Sequence, residues 1–551
     1  MGGSVDKKVK FMIYFQHHII QKRRKYMKKL IALLMAVTMV ASVFTGCGSN
    51  GGESSTGAGG EENAKETLVI GTDADINNLD LQKQQDAVNN IILKNTHQTL
   101  VFFTNEQTFE PGLATNWEFV DDTHIKFTLR QDVTFNDGTP MTAEDVKFTY
   151  DMAVGEDSLV SSVLAGMVGV EVVDDYTIQI EIESYNNEFI QSLASVPLSI
   201  QSKAAYESGE DQPYLIGTGP YKFDEWVEGE YCRLVKNENY WGNDAKDLPD
   251  YYAPGVSEAI EFKPYIEASS RVIALQNGEI DVCVNPPINE LEYLEEDENI
   301  TVEEKDGTRL FYFAFNVTAK PWDNQTLRQA VACAIDREAV LDAAVYGKGK
   351  LQTTILNRGL WGFYDDMEGF DYDVERAKSL MAEAGYAGGS ASKTVLKTSL
   401  TYATSSPYEQ IATVIQANLK EIGIEVTLNP LEDATLKSEC VEGNQELFLW
   451  RWNEDSKVDF VYRDLFYTDS ASNYHHYSDK KADELTDTVA TEKDEEARLA
   501  AAQELQTYLV DACPQVPLYI ANLVIAYNKN LHGQYFYGGG NHYWAHAYVT
   551  E

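Results

Sequence analysis

The residue types that could do chemistry gather in one short stretch. Leu447 to Trp452 is apolar and aromatic, and Asn453, Glu454 and Asp455 end it abruptly. A carboxylate just past the end of a buried strand stands where α/β sheets hold ligands. A helix cap or a solvated loop acid would look the same in sequence. Elsewhere, His475 and His476 are the tight histidine pair beyond the leader. Adjacent positions do not share a helix face, and no Cys or acid is spaced to complete a metal site. Asp73-Ala74-Asp75-Ile76-Asn77-Asn78-Leu79-Asp80 opens like a calcium loop, but Asn78 replaces the required Gly and Gln84 the bidentate Glu. G-x-S-x-G, H-E-x-x-H, the Walker loop and G-x-G-x-x-G are all missing. No catalytic group, metal or cofactor is expected.

These residues need a scaffold, and its periodicity is α/β. Thr67 to Thr72 alternates as a strand. Ile260 to Tyr265, Ala268 to Asn277, Gly278 and Ile280 to Val284 read as strand, helix, glycine stop and strand, a right-handed crossover in a parallel sheet. Phe313 to Phe315 follows a strand pattern. Leu327, Val331, Ile335 and Leu341 fall on one helical face and predict a buried helix. Ser406-Pro407 starts another, with Ile411, Val414, Ile415, Leu419 and Ile422 inward, Gly423 as its stop and Ile424 to Leu428 as the next strand. Pro514 to Tyr519 breaks the helix predicted over 497–510 and begins a last strand. Thr142 with Asp145 reads as a helix cap, and Trp117 is expected in a core. Gly217-Thr218-Gly219-Pro220 predicts a tight bend built on positive φ, leading into strands at Tyr221–Val227 and Tyr231–Lys236 that turn at Gly229.

With 551 residues the chain exceeds one ordinary core, so two or three domains are expected. Hydrophobic residues at 44% and charged residues at 24% fit a soluble globular protein. The net charge is −43, although Lys and Arg are concentrated ahead of Cys47. A surface that acidic excludes nucleic acid and an anionic membrane face as direct partners. Five of the six cysteines sit among apolar residues and are expected as buried thiols. Cys47 differs. Met27-Lys28-Lys29, the apolar run Leu30 to Phe44, and Thr45-Gly46-Cys47 make a secretory leader, too short to span a membrane comfortably. The last residues resemble the lipobox of bacterial lipoproteins, with Phe44 where Leu is usual. That resemblance implies cleavage before Cys47 and lipid on its thiol; a secreted protein with a chance cysteine is the other reading. Residues 1–26 precede a better start at Met27, and a mis-assigned start is expected there. Gly48 to Lys65, rich in Gly, Ser and Glu, should be a flexible tether.

Four runs then appear in a telling order: Pro111-Gly112-Leu113-Ala114-Thr115-Asn116-Trp117, Phe135-Asn136-Asp137-Gly138-Thr139-Pro140, Gly217 to Trp241, and Leu327 to Arg337. In that order they resemble the extracytoplasmic solute-binding proteins, family 5, that serve oligopeptide, dipeptide and nickel ABC importers. The resemblance covers nearly all of the chain from Thr67 on. It implies a type II periplasmic-binding-protein-like fold, with two lobes, an inserted domain and closure about a hinge. Residues 1–46 would be upstream extension and leader, and 47–66 the tether. Domain I would combine 67–83, 214–315 and 524–551; domain II would be the insertion 84–213; domain III would span 316–523. The hinge would lie near Phe315 and Val524.

By the same resemblance, Trp452-Asn453-Glu454-Asp455 matches the Trp-x-x-Asp of peptide-binding members, where the Asp pairs with the peptide α-ammonium. Asp455 would then be the anchor. Arg451, Trp452 and Asn453 would offer backbone bonds to an extended peptide, and Trp361 and Tyr364 would line side-chain pockets. Ile76 and Asn77 would border the ligand after the first strand. Two departures stand out: Ser406 holds the place of an Arg that grips the ligand carboxylate in dipeptide binders, and Arg451 stands where peptide binders often have Gly. Both argue against a strict dipeptide specificity and for a longer peptide or another cargo. The expectation is a monomeric, non-enzymatic, lipid-anchored protein on the outer face of the membrane or in the periplasm, delivering peptides to permease subunits. The alternatives are the same fold carrying a metallophore or nickel complex, haem or an oligosaccharide, or a secreted hydrolase.

Overall fold

The structure is a computed structural model, and it describes residues 64–84, 86–104, 108–245, 252–357, 360–364, 367–453, 458–536 and 542–550. β1 (Thr67–Thr72) is followed by a short pair, β2 (Val101–Phe103) and β3 (Phe109–Pro111). β4 (Ala114–Phe119), β5 (His124–Leu129), β6 (Met167–Asp174) and β7 (Thr177–Ile182) form an antiparallel sheet in the order β4-β5-β7-β6. The chain returns beside β1 with β8 (Tyr221–Val227), β9 (Tyr231–Lys236), β10 (Ala259–Pro264), β11 (Val282–Val284) and β12 (Ile300–Lys305). It then builds a second large sheet from β13 (Arg309–Phe315), β14 (Gly349–Leu351), β15 (Leu396–Ala403), β16 (Ile424–Leu431), β17 (Leu447–Asn453) and β18 (Gln515–Ala521), ordered β14-β18-β13-β17-β15-β16. β19 (Leu523–Asn528) goes back to complete the first sheet, ordered β12-β19-β11-β1-β10-β9-β8.

Alternation explains how the seven-stranded sheet is buried. Leu68 and Ile70 of β1 face one core, and Val69 faces the other. β1 runs parallel to both β10 and β11, as the strand–helix–strand reading requires. In the six-stranded sheet, β13 is buried on both faces from Leu310 to Phe315. β15 is parallel to β16 and β17. All five described cysteines are buried thiols. Asp145 Oδ2 accepts from the Thr142 N–H at 2.8 Å and opens the helix Ala143–Ala153 as expected.

Several expectations need correction. Gly217 and Gly219 do not take positive φ. They are there for close approach: a Cβ on Gly217 would lie 2.1 Å from the Thr96 carbonyl oxygen, and one on Gly219 would lie 2.6 Å from the Thr96 carbonyl carbon. Trp117 is only half-buried, because β4 is an edge strand; its ring rests on Phe127 at 6.3 Å. The helix predicted through Leu327 to Leu341 is two, Gln325–Ala334 and Arg337–Val345. Asp336 caps the second by accepting from the Ala339 N–H at 3.0 Å, which outweighs helical continuity. The strand begun at Gln515 is not the last, since β19 and four two-residue strands follow. The chain passes from the seven- to the six-stranded sheet at residues 306–308 and returns at Asn522. Phe315 lies one strand beyond the first crossing.

Candidate functional site

The carboxyl ends of parallel strands are where open α/β sheets leave room for ligands. In the seven-stranded sheet those ends are Thr72, Pro264 and Val284, and the first and last run on into Asp73 and Asn285. The Asn285 amide donates to Asp73 Oδ2 at 2.8 Å, with its backbone at φ 49°. Arg271, buried behind it, holds this edge in place. Its Nε donates to the Val284 carbonyl and its Nη2 to the Asn285 carbonyl, both at 2.8 Å.

In the six-stranded sheet the matching edge is the end of β17 and the start of the helix Tyr408–Glu421 after β15. Antiparallel pairing with β13 sets Arg309 opposite Asn453 and Phe311 opposite Arg451. All four therefore share a face. Arg309 Nε donates to Asn453 Oδ1 at 2.9 Å. Arg451 Nη1 donates to the Tyr408 hydroxyl at 3.0 Å, and its guanidinium lies 5.8 Å from the centre of that ring. Phe311 stacks on Tyr519 at 4.9 Å and leans on Tyr408 at 5.7 Å, making the apolar floor. Desolvation, then the charge of Arg451, lowers the pKa of Arg309. Burial raises that of the Tyr408 phenol, and Arg451 opposes the rise. Asp73 acts on Arg309 electrostatically, and Ile288 packs on the cores of both large sheets. The two edges thus meet in one region.

The expected site residues fall into three groups. Arg451 and Asn453 stand in this region. Trp452 points to the other face of β17, half-buried between the sheet core and a helical cluster that Trp361 also borders. The Trp361 indole N–H donates to Glu495 Oε1 at 2.6 Å, and the Arg498 guanidinium sits 3.8 Å from its ring centre. The Tyr364 backbone N–H donates to Gln506 Oε1 at 3.1 Å. Ile76 is core beneath β1, 2% exposed. Asn77 is engaged within its own segment, donating to Asp86 Oδ2 at 2.6 Å and accepting from Asn89 at 2.8 Å. Asp455 and Cys47 lie outside the described residues. Sequence reasoning missed Arg309, Tyr408, Asp73 and Asn285. The one signal available was a lone cation, Arg309, in line with apolar Phe311 and Phe313. His475 proves to be a core ring stacked on Phe466 at 5.1 Å. Among the described residues no group of three or more His, Cys, Asp or Glu is placed to hold a metal, and no helix is long and apolar enough to cross a membrane.

Two α/β sheets joined by a pair of crossings, with ligand-ready edges turned to a common region, define a type II solute-binding protein. Residues 108–474 match the family model of bacterial extracellular solute-binding proteins, family 5, middle region, and the chain belongs to that family. It is 25% identical over 492 residues to a probable D,D-dipeptide-binding periplasmic protein, DdpA, of Escherichia coli (strain K12), covering 86% of this chain and 92% of the relative. It is 26% identical over 489 residues to the glutathione-binding protein GsiB of Escherichia coli (strain K12), covering 85% and 92%. The crystal structure of the ABC transporter substrate binding protein CtaP of Listeria monocytogenes superposes with a TM-score of 0.79 at 25% identity, covering 89% of this chain and all of that one.

Proposed function

We propose that this protein captures peptides between two lobes and hands them to the permease of an ABC importer. The observation that carries the reading is the meeting of Asp73 and Asn285 on one sheet edge with Arg309, Arg451 and Asn453 on the other. A solute touching both edges binds the closed arrangement better and so biases the hinge. Relatives named for a D,D-dipeptide and for glutathione support a peptide cargo. In this reading domain I comprises 67–83, 214–308 and 522–551, domain II 84–213 and domain III 309–521, so that β13 stays with its own sheet and the hinge lies at the paired crossings. Asp455, two residues past Asn453, receives the peptide α-ammonium, because a desolvated carboxylate is favourable only when paired. The main chain from Arg451 to Asn453 offers strand-like hydrogen bonds, with Trp361 and Tyr364 further along the cleft. Cys47 carries the lipid that keeps a monomer outside the cell. The cargo leaves unchanged, without turnover. A Kd of ~1 μM, about −8.2 kcal/mol, would leave room for closure to draw on part of the binding energy.

Mass spectrometry of solute released from the purified, denatured protein identifies the cargo. Peptides are expected; a metallophore, haem or a sugar would replace the peptide reading. Calorimetric titration of wild type and Asp455→Asn with the identified peptide is expected to show at least tenfold weaker binding in the variant. Equal affinity would remove Asp455 from the α-ammonium role.

A further inference from the structure

Three buried arginines, Arg271, Arg328 and Arg337, are held by main-chain oxygens. Arg271 donates to the carbonyls of Val284, Asn285 and Tyr265. Arg328 donates to those of Cys513, Trp322 and Ala512, and Arg337 to those of Pro517 and Phe370. Arg309, which is exposed, and Arg451, which is half-buried, have no such cage of main-chain oxygens. Each makes one side-chain hydrogen bond, to neutral Asn453 and neutral Tyr408, and no carboxylate among the described residues lies within 4.0 Å of either.

The two are also neighbours. Arg309 pairs with Asn453 and Arg451 with Phe311, so the guanidiniums project from diagonal positions on one face of β13 and β17. Like charges set together on an apolar floor repel, and that arrangement is stabilised when an anion lies between them. Among the described residues, Asp73 acts on Arg309 and Asp433 on Arg451. Both stay beyond ion-pair distance and offset part of the positive charge.

We propose that Arg309 and Arg451 form an oxyanion subsite in the binding cleft that takes a carboxylate of the captured solute. The proposal rests on the cleft reading above and adds the class of group the cleft selects. Each guanidinium turns its remaining N–H donors to one carboxylate oxygen, while Asn453 and Tyr408 fix the forks. The carboxylate can be the terminal one of a peptide or belong to an acidic side chain; the chemistry is the same.

Three probe pools decide it. One is a random pool of tri- to pentapeptides as free acids; the second is the same pool with amidated carboxyl termini; the third contains non-peptide carboxylic acids, their amides and phosphate monoesters. Each is equilibrated with unliganded protein, and retained compounds are identified by mass spectrometry. Wild type is expected to retain carboxylates at least tenfold over matched amides, and less so at high salt. In Arg309→Gln/Arg451→Gln the preference is expected to fall to near onefold, while Arg309→Lys/Arg451→Lys keeps part of it, having charge without the fork. Circular dichroism of each variant excludes unfolding as the cause. Preference within the free-acid pool alone identifies the peptide terminus; enrichment of Asp and Glu peptides in the amidated pool identifies the side chain. Retention of acids from the third pool only, lost in the Gln variant, upholds the subsite and overturns the peptide reading. Equal retention of acids and amides by wild type, retention of phosphates alone, retention of nothing acidic from any pool, or an unchanged preference in the Gln variant overturns the subsite.

Discussion

Burial keeps the His475 ring neutral. Its pKa is lowered to about 4, mainly by desolvation, against the opposing contact of Nδ1 with the Leu465 carbonyl at 3.2 Å. Because the folded value lies below the unfolded one, this contribution to stability is full above about pH 6.5 and is lost as pH falls toward 4. Between pH 7 and pH 5 the loss is about 2 kcal/mol for such a group. Thermal unfolding of wild type and His475→Phe at both pH values checks it: the midpoint of wild type should fall further on acidification than that of the variant. Parallel falls would mean the ring is charged, or reaches water, in the folded state. That His475 is a core ring was not legible, because the ring it stacks on, Phe466, comes from a separate helix. Arg309 was not legible as a partner of Asn453, since their meeting depends on an antiparallel register between strands 144 positions apart. Nor was the role of Gly217, because the obstructing atom is a distant carbonyl.

At the scale of elements, the crossing between the large sheets is one paired ribbon. Lys305 pairs with Leu523 on one side of it and Leu310 with Ile520 on the other. Gly307 sits buried between, and a Cβ there would lie 2.0 Å from the Ala521 carbonyl oxygen. Neither atom can swing aside, since one belongs to the opposing main chain. Gly307→Ala should therefore part the ribbon and cost about 1–3 kcal/mol, as overpacking does. A melting temperature matching wild type would refute the tight crossing. Periodicity made most elements legible: β1, β8, β9 and the helix Tyr408–Glu421 fall where apolar spacing and glycine stops put them. It failed where a side chain competes with the helix, as Asp336 does, and where strands are two residues long and take their pairing from neighbours.

At the scale of the molecule, the segment 185–188 meets the turn between the helices Lys480–Thr491 and Glu495–Ala512. Asn187 donates from its main chain to the Ala490 carbonyl at 2.9 Å and from its side chain to that of Glu492 at 2.7 Å. Glu188 Oε1 pairs with Arg498 Nη2 at 2.9 Å, and the two side chains are only 8% and 12% exposed. Lys493 lies 4.9 Å from the Tyr185 ring centre and pairs with Asp122. In the proposed domain division every one of these contacts joins domain II to domain III, so a swing about the ribbon would break them all together. A contact present only in the closed form adds its free energy to closure, and each 1.4 kcal/mol there is tenfold in ligand affinity. Breaking a buried ion pair from one side costs about 3–5 kcal/mol, less where water can reach the stranded partner. Glu188→Gln keeps the shape and removes the charge, so cargo affinity should weaken tenfold or more through faster release. X-ray scattering of the cargo-loaded variant should give a larger radius than loaded wild type. If the contact instead holds in open and closed forms alike, the variant will melt earlier and bind cargo as wild type does, because a contact common to both states biases neither. Affinity and melting measured on one preparation therefore separate a latch from a permanent seam.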